Sequence, residues 1–153
     1  MWITSPEFAD GPELPIYHRQ LKPLKRPAEE KRQNRHILFR RSFVLPSFRE
    51  AVLWVTADDY YKLYINGKYV CRGPAPGYLW HYYYQRVDVT PYLREGENTI
   101  AVHTYYQGLI NRVWVSGDGL HGFLADLCCD GKIRLSTDTS WRWHIHEGYA
   151  SLG

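Results

Sequence analysis

Apolar residues recur along much of this chain with a period of two, the spacing of a strand that buries one face. The clearest case is residues 121–129 (HGFLADLCC), where Phe123, Ala125, Leu127 and Cys129 share one face and Asp126 points the other way. Residues 36–45 (HILFRRSFVL) place Ile37, Phe39 and Phe43 at alternate positions. Arg41 interrupts that series, which predicts a bulge or an edge position there. Residues 51–57 (AVLWVTA) are apolar on both faces, as in a central strand of a sandwich. Residues 82–89 and 99–106 add two more strands, and Trp141, Trp143 and Ile145 mark the core face of a last one. Residues 2–4 are a short edge-strand candidate.

Turn chemistry punctuates these strands. Asn66-Gly67 lies between alternating apolar residues and predicts a two-residue hairpin, because both turn positions take positive φ. That register sets Leu63 opposite Val70 and Tyr64 opposite Tyr69. Thr90-Pro91 predicts a single tight turn with Thr90 as its cap, ended by Gly96 before a strand that starts at Asn98. Ser140 and Asp138 make the turn before the last strand. At Asp130-Gly131 a two-residue loop would set Leu127 opposite Arg134 and mix the faces. A three-residue loop (Cys129-Asp130-Gly131) sets Leu127 opposite Ile133 and Ala125 opposite Leu135, and burial favours it.

Eight or nine short strands with little helix predict an antiparallel β-sandwich. Its shared core is expected to hold Leu53, Val55, Leu63, Ile100, Val102, Phe123 and Leu127. Trp54, Trp141 and Trp143 are expected to be less exposed than Trp80 and Trp114, which lie in Gly-rich connections. Residues 1–35 read as an N-terminal edge strand and irregular extension, and residues 36–153 as the sandwich domain. Five prolines punctuate the extension, with a short helix predicted at 28–33 and basic residues around 22–26. The simplest reading of it is a solvated connector.

Several phrases of the sequence carry a family resemblance. Ala57-Asp58-Asp59-Tyr60, Leu63-Tyr64-Ile65-Asn66-Gly67-Lys68 and Arg72-Gly73-Pro74-Ala75 resemble the N-terminal β-sandwich domain of bacterial α-L-rhamnosidases. So do Asp88-Val89-Thr90-Pro91-Tyr92-Leu93 and Glu95-Gly96-Glu97-Asn98, together with Trp2-Ile3 and Thr137-Asp138-Thr139-Ser140-Trp141 at the domain edges. The sugar-binding β-domain of β-galactosidase-type hydrolases has similar wording. The resemblance implies a jelly roll (galactose-binding-domain-like) and a non-catalytic accessory role. It also implies a partner, the catalytic domain of a larger glycoside hydrolase, and a link to rhamnose-containing glycans. A free-standing, lectin-like carbohydrate-binding module is the alternative. In the rhamnosidases the catalytic acids lie in a separate helical barrel of several hundred residues.

Composition narrows the classes. A net charge of +3, with both signs interspersed, does not make the clustered basic footprint of a nucleic-acid binder. No apolar run reaches the roughly 20 residues of a membrane span. Cys71, Cys128 and Cys129 are an odd set, and Cys128 and Cys129 point to opposite faces of a strand, so no disulfide framework is expected. The first residues lack the basic and apolar regions of a signal peptide, and a cytoplasmic protein is expected.

Few residues carry chemistry. Asp58-Asp59 is an adjacent acidic pair, but strand neighbours point apart, and a glycosidase needs two carboxylates flanking one bond. The pair reads as a turn. His144 and His146 share one strand face and suit a metal, with His121 as a third ligand only if the fold brings it near. Solvent-facing histidines fit them better, and no cofactor or metal is expected. Cys71 lacks a positioned base, and Ser116-Gly117-Asp118-Gly119 lacks the strand-to-helix setting of a phosphate cradle.

The informative cluster is aromatic, in a chain with 13 Tyr and 6 Trp. Sugars present an apolar C–H face and a hydroxyl rim, so a site for them needs rings beside polar side chains. Tyr78, Trp80, His81, Tyr106, Gln107 and Trp114 are the candidate carbohydrate-binding or domain-interface residues; filling the core is the third use open to them.

Overall fold

The computed structural model describes residues 1–9, 32–77, 81–108 and 120–149. A one-turn helix α1 (Pro6–Ala9) precedes nine described strands. These are β1 (Arg35–Leu45), β2 (Ala51–Asp58), β3 (Tyr60–Ile65), β4 (Lys68–Gly73), β5 (Gln85–Asp88), β6 (Gly96–Tyr106), β7 (Gly122–Cys129), β8 (Lys132–Ser136) and β9 (Arg142–Ile145). They form two antiparallel sheets, ordered β4-β3-β6-β1-β9 and β5-β2-β7-β8. This is the expected jelly-roll β-sandwich. The predicted helix at 28–33 falls mostly outside the described residues. No described helix is long and apolar enough to cross a membrane.

The period-two pattern produces the core directly. Cross-strand pairing aligns Leu63 with Val102 and Phe39 with Val102 in one sheet, and Leu53 with Leu127 in the other. All seven expected core residues are buried. Phe123 stacks on Phe39 at 5.7 Å and meets Trp141 edge-on at 5.3 Å, joining the two layers. Residues 1–9 close one end. Ile3 exchanges two backbone hydrogen bonds with Phe123 (2.9 and 3.0 Å), and Phe8 packs edge-on against Tyr106 at 4.9 Å.

Both hairpins follow one rule. Asn66 and Gly67 take φ of 50° and 79°, and Asp130 and Gly131 take 48° and 75°. Each is therefore a two-residue turn. In each hairpin the returning strand then bulges three residues past the glycine. Val70 is skipped, so Leu63 pairs with Cys71 instead of Val70, while Tyr64 keeps Tyr69. Arg134 is skipped, so Leu127 pairs with Leu135. The three-residue loop expected at Asp130-Gly131 is thus corrected. The tight turn is kept, and the bulge restores the burial that a straight register would spoil.

Other expectations change in detail. Arg41 causes no register shift, but β9 pairs only with residues 37–40 of β1, so Arg41 lies where β1 has lost that neighbour. Its guanidinium donates to the Ser140 carbonyl at 3.1 Å. Thr90 does not cap its turn; Asp88 Oδ1 accepts the Thr90 amide at 3.0 Å, and the Thr90 hydroxyl binds the backbone of Ala51. Trp141 is buried at 5% exposure, but Trp54 and Trp143 are exposed at 40% and 45%. Trp143 pairs with Phe39 and shares its face, yet it sits on the edge strand beyond the cover of the second sheet. Trp54 points outward from β2, where aromatic neighbours rather than a third layer cover it. Trp80 and Trp114 lie outside the described residues, so their exposure relative to these is not described.

Candidate functional site

Two concave surfaces lie on opposite outer faces of the sandwich. On the four-stranded sheet, register places Arg86, Trp54 and Asp126 in one row across β5, β2 and β7. The Arg86 guanidinium sits 5.9 Å from the Trp54 ring, and Tyr84 packs on the same ring at 5.6 Å. Trp2 arrives beside β7, where a Cβ on Gly122 would come within 2.8 Å of its ring; only glycine leaves that seat open. Trp2 packs on Tyr82 at 5.4 Å, and the Tyr82 hydroxyl donates to Asp58 at 3.0 Å. Trp2, Tyr82, Trp54 and Tyr84 bound a groove of about 350 Å³ that Thr56, Leu124 and Asp126 also line. Exposed rings beside a carboxylate are what a sugar needs: stacking for its C–H face and an acceptor for its hydroxyls.

On the five-stranded sheet, a cleft of about 560 Å³ is lined by Lys62, Arg72, His36, His103, Tyr60, Tyr105 and Tyr149, with the Gly73-Pro74-Ala75 segment at one side. His36 Nδ1 and His103 Nε2 share a hydrogen bond of 2.9 Å. Burial, with His146 and Lys62 close by, holds the His36 imidazole down to about 4. Burial, with His36, Lys62 and His146 close by, does the same to His103. Both are neutral at pH 7.

The sequence-predicted residues scatter. Tyr78, Trp80 and Trp114 lie outside the described residues, as does Ser116-Gly117-Asp118-Gly119. His81 is exposed and meets Tyr83 edge-on at 4.9 Å. Tyr106 is 2% exposed and fills the core against Phe8, so it presents no ring to a ligand. The Gln107 backbone N–H, not its side chain, donates to Asp59 Oδ2 at 2.8 Å. The carboxylates of Asp58 and Asp59 therefore accept structural hydrogen bonds from different partners, in keeping with a turn.

His121 does not approach His144 or His146. It lies inside, 5.0 Å from Phe8, and burial pushes its imidazole down to about 3. Thr104 donates its hydroxyl to the Ile37 carbonyl, so it accepts from His121 Nε2–H at 2.9 Å, and His121 Nδ1 is left to accept from Thr4 at 3.3 Å. The histidines near His146 are instead His103, with ring centres 5.5 Å apart, and His36, whose carbonyl accepts the His146 backbone N–H at 2.8 Å. Among the described residues no group of three or more His, Cys, Asp or Glu is arranged to hold a metal ion. Sequence reasoning missed Trp2, Trp54, Asp126, His36 and His103 as site residues. The outward position of Asp126 was legible from the alternation of its strand, whereas Trp54 read as core, and the mutual proximity of these residues depends on pairing between distant strands.

The model of the α-L-rhamnosidase N-terminal domain family matches residues 47–151. The chain belongs to that family. The GH78 family rhamnosidase of Bacillus sp. GL1 is 36% identical over 74% of this chain, with a TM-score of 0.69; the chain spans 12% of that protein. The α-L-rhamnosidase of Aspergillus terreus is 28% identical over 72% of this chain and 14% of its own, with a TM-score of 0.60. A lectin from Pleurotus ostreatus is 21% identical over 95% of this chain and 34% of its own, with a TM-score of 0.57, and shows the shared fold alone. No curated protein matches the chain. This rhamnosidase N-terminal domain therefore has the architecture that its Asn-Gly, Arg-Gly-Pro-Ala and Asp-Val-Thr-Pro phrases imply.

Proposed function

We propose that this rhamnosidase N-terminal domain is a non-catalytic accessory unit of a glycoside hydrolase acting on α-L-rhamnosides, and that its aromatic groove holds rhamnose-containing glycan. The groove carries the reading: four rings in an open concavity, with Asp126 placed to accept hydroxyl hydrogen bonds. A non-catalytic role is supported by Asp58 and Asp59, whose carboxylates accept structural hydrogen bonds from the Tyr82 hydroxyl and the Gln107 backbone N–H.

Titration with L-rhamnose is expected to quench tryptophan fluorescence, and Trp54→Ala is expected to remove most of the change. A flat titration would refute sugar binding in the groove. The isolated chain should leave an aryl α-L-rhamnoside intact; turnover lost in Asp58→Asn or Asp59→Asn would refute the accessory role. A second reading, docking on a catalytic domain through the same surface, is favoured by the size of the solved relatives, of which the chain covers only 12–14%. Protection of Trp54 and Tyr84 from solvent in the longer protein, without sugar, would select it.

A further inference from the structure

The basic cleft on the five-stranded sheet has features that neither a folding role nor the groove on the opposite sheet accounts for. Lys62 and Arg72 are directly paired across β3 and β4 and so share one face. Like charges directly opposite one another destabilise a sheet. Among the described residues, neither has a salt-bridge partner, and the described ion pair of the chain, Arg35 with Glu7, lies elsewhere. Among the described residues, no carboxylate lines the cleft. Asp59 acts on Tyr60 and Tyr105 from beside it, but its carboxylate already accepts the Gln107 backbone N–H.

The other wall is aromatic and preorganised. His36 stacks on Tyr105 at 4.6 Å and on Tyr149 at 3.8 Å, while His103 pairs with Lys62 across the β3–β6 ladder. Neutral imidazoles donate to and accept from hydroxyls, and the guanidinium of Arg72 matches a planar carboxylate in two-pronged fashion. A bare inorganic anion would use only the cationic wall. A hydroxylated ring bearing a carboxylate would use both.

We propose that this cleft is a second carbohydrate site, selective for an acidic sugar, with Lys62 and Arg72 taking the carboxylate of a uronic acid and His36, His103, Tyr105 and Tyr149 contacting its ring and hydroxyls. The proposal does not depend on the groove around Trp54. In the full chain, NMR titration with methyl β-D-glucuronide is expected to shift the His36, His103 and Tyr105 signals saturably. Methyl β-D-glucoside should bind at least tenfold more weakly. The double variant Lys62→Gln/Arg72→Gln should lose at least tenfold in glucuronide affinity with no fall in its melting temperature. Binding that survives the double variant, or equal binding of the glucoside, would overturn the assignment. So would displacement by equimolar inorganic phosphate, which would reduce the cleft to an anion site, and so would shifts centred on the Trp54 indole.

Discussion

The two outer faces of the sandwich each combine outward strand residues with side chains from flanking segments, yet they carry opposite chemistry. One gathers Trp2, Trp54, Tyr82 and Tyr84 around Asp126. The other gathers Lys62 and Arg72 against a pair of neutral histidines and their stacked tyrosines. On the first, apolar rings are left exposed, which costs solvation but favours ligands with C–H faces. On the second, two cations are held side by side, which costs electrostatic energy but favours an anion. The contrast teaches that a sandwich can place two chemically distinct surfaces back to back over one core.

The largest test of that picture acts on the core common to both faces. Phe123→Ala removes the ring that links Phe39 and Trp141, and should cost about 3–5 kcal/mol in a denaturant melt. Both surfaces should be lost together; loss of one alone would show that the faces do not share a core.

Acid should act next. The unfolded chain takes up a proton on His121 below pH 6.5, whereas the folded chain resists until about pH 3. Its stabilisation is therefore present above pH 6.5 and lost as pH falls, by about 1.4 kcal/mol per unit. Between pH 6.5 and 5 the loss from His121 is about 2 kcal/mol. His36 and His103 add to it in the same direction down to about pH 4, less strongly because solvent reaches them. Urea midpoints at pH 7 and pH 5 measure the sum, and equal midpoints would contradict the burial of His121.

Gly122→Ala sharpens the comparison by damaging one face only. Its Cβ would meet the Trp2 ring, so Trp2 should leave its seat at a cost of about 1 kcal/mol. Rhamnose-induced quenching should fall while the histidine signals of the other face stay in place. The smallest effect is expected from Lys62→Gln, which relieves the like-charge pair with Arg72 and should stabilise the chain by roughly 0.2–1 kcal/mol. A clear destabilisation in a thermal melt would mean that Lys62 has a stabilising partner.

Much of the architecture was legible in short stretches of sequence. The period-two alternation located Leu53, Val55, Leu63, Ile100, Val102, Phe123 and Leu127, all of them buried. Asn66-Gly67 specified its turn because positive φ at both positions is a local demand. The Asp-Val-Thr-Pro and Arg-Gly-Pro-Ala phrases placed the chain among rhamnosidase N-terminal domains. Tertiary structure alone decided the rest. The bulges at Val70 and Arg134 reconcile a tight turn with a buried face, a bargain between two strands that neither strand states by itself. His36 and His103 meet only because β1 pairs with β6 across 67 residues of sequence. Trp54 reads as core in its apolar strand and is exposed because its neighbours across the sheet are Arg86 and Asp126. Alternation says that a side chain points outward or inward; which outward side chains become neighbours depends on strand order and register, and these follow from burying both sheets at once.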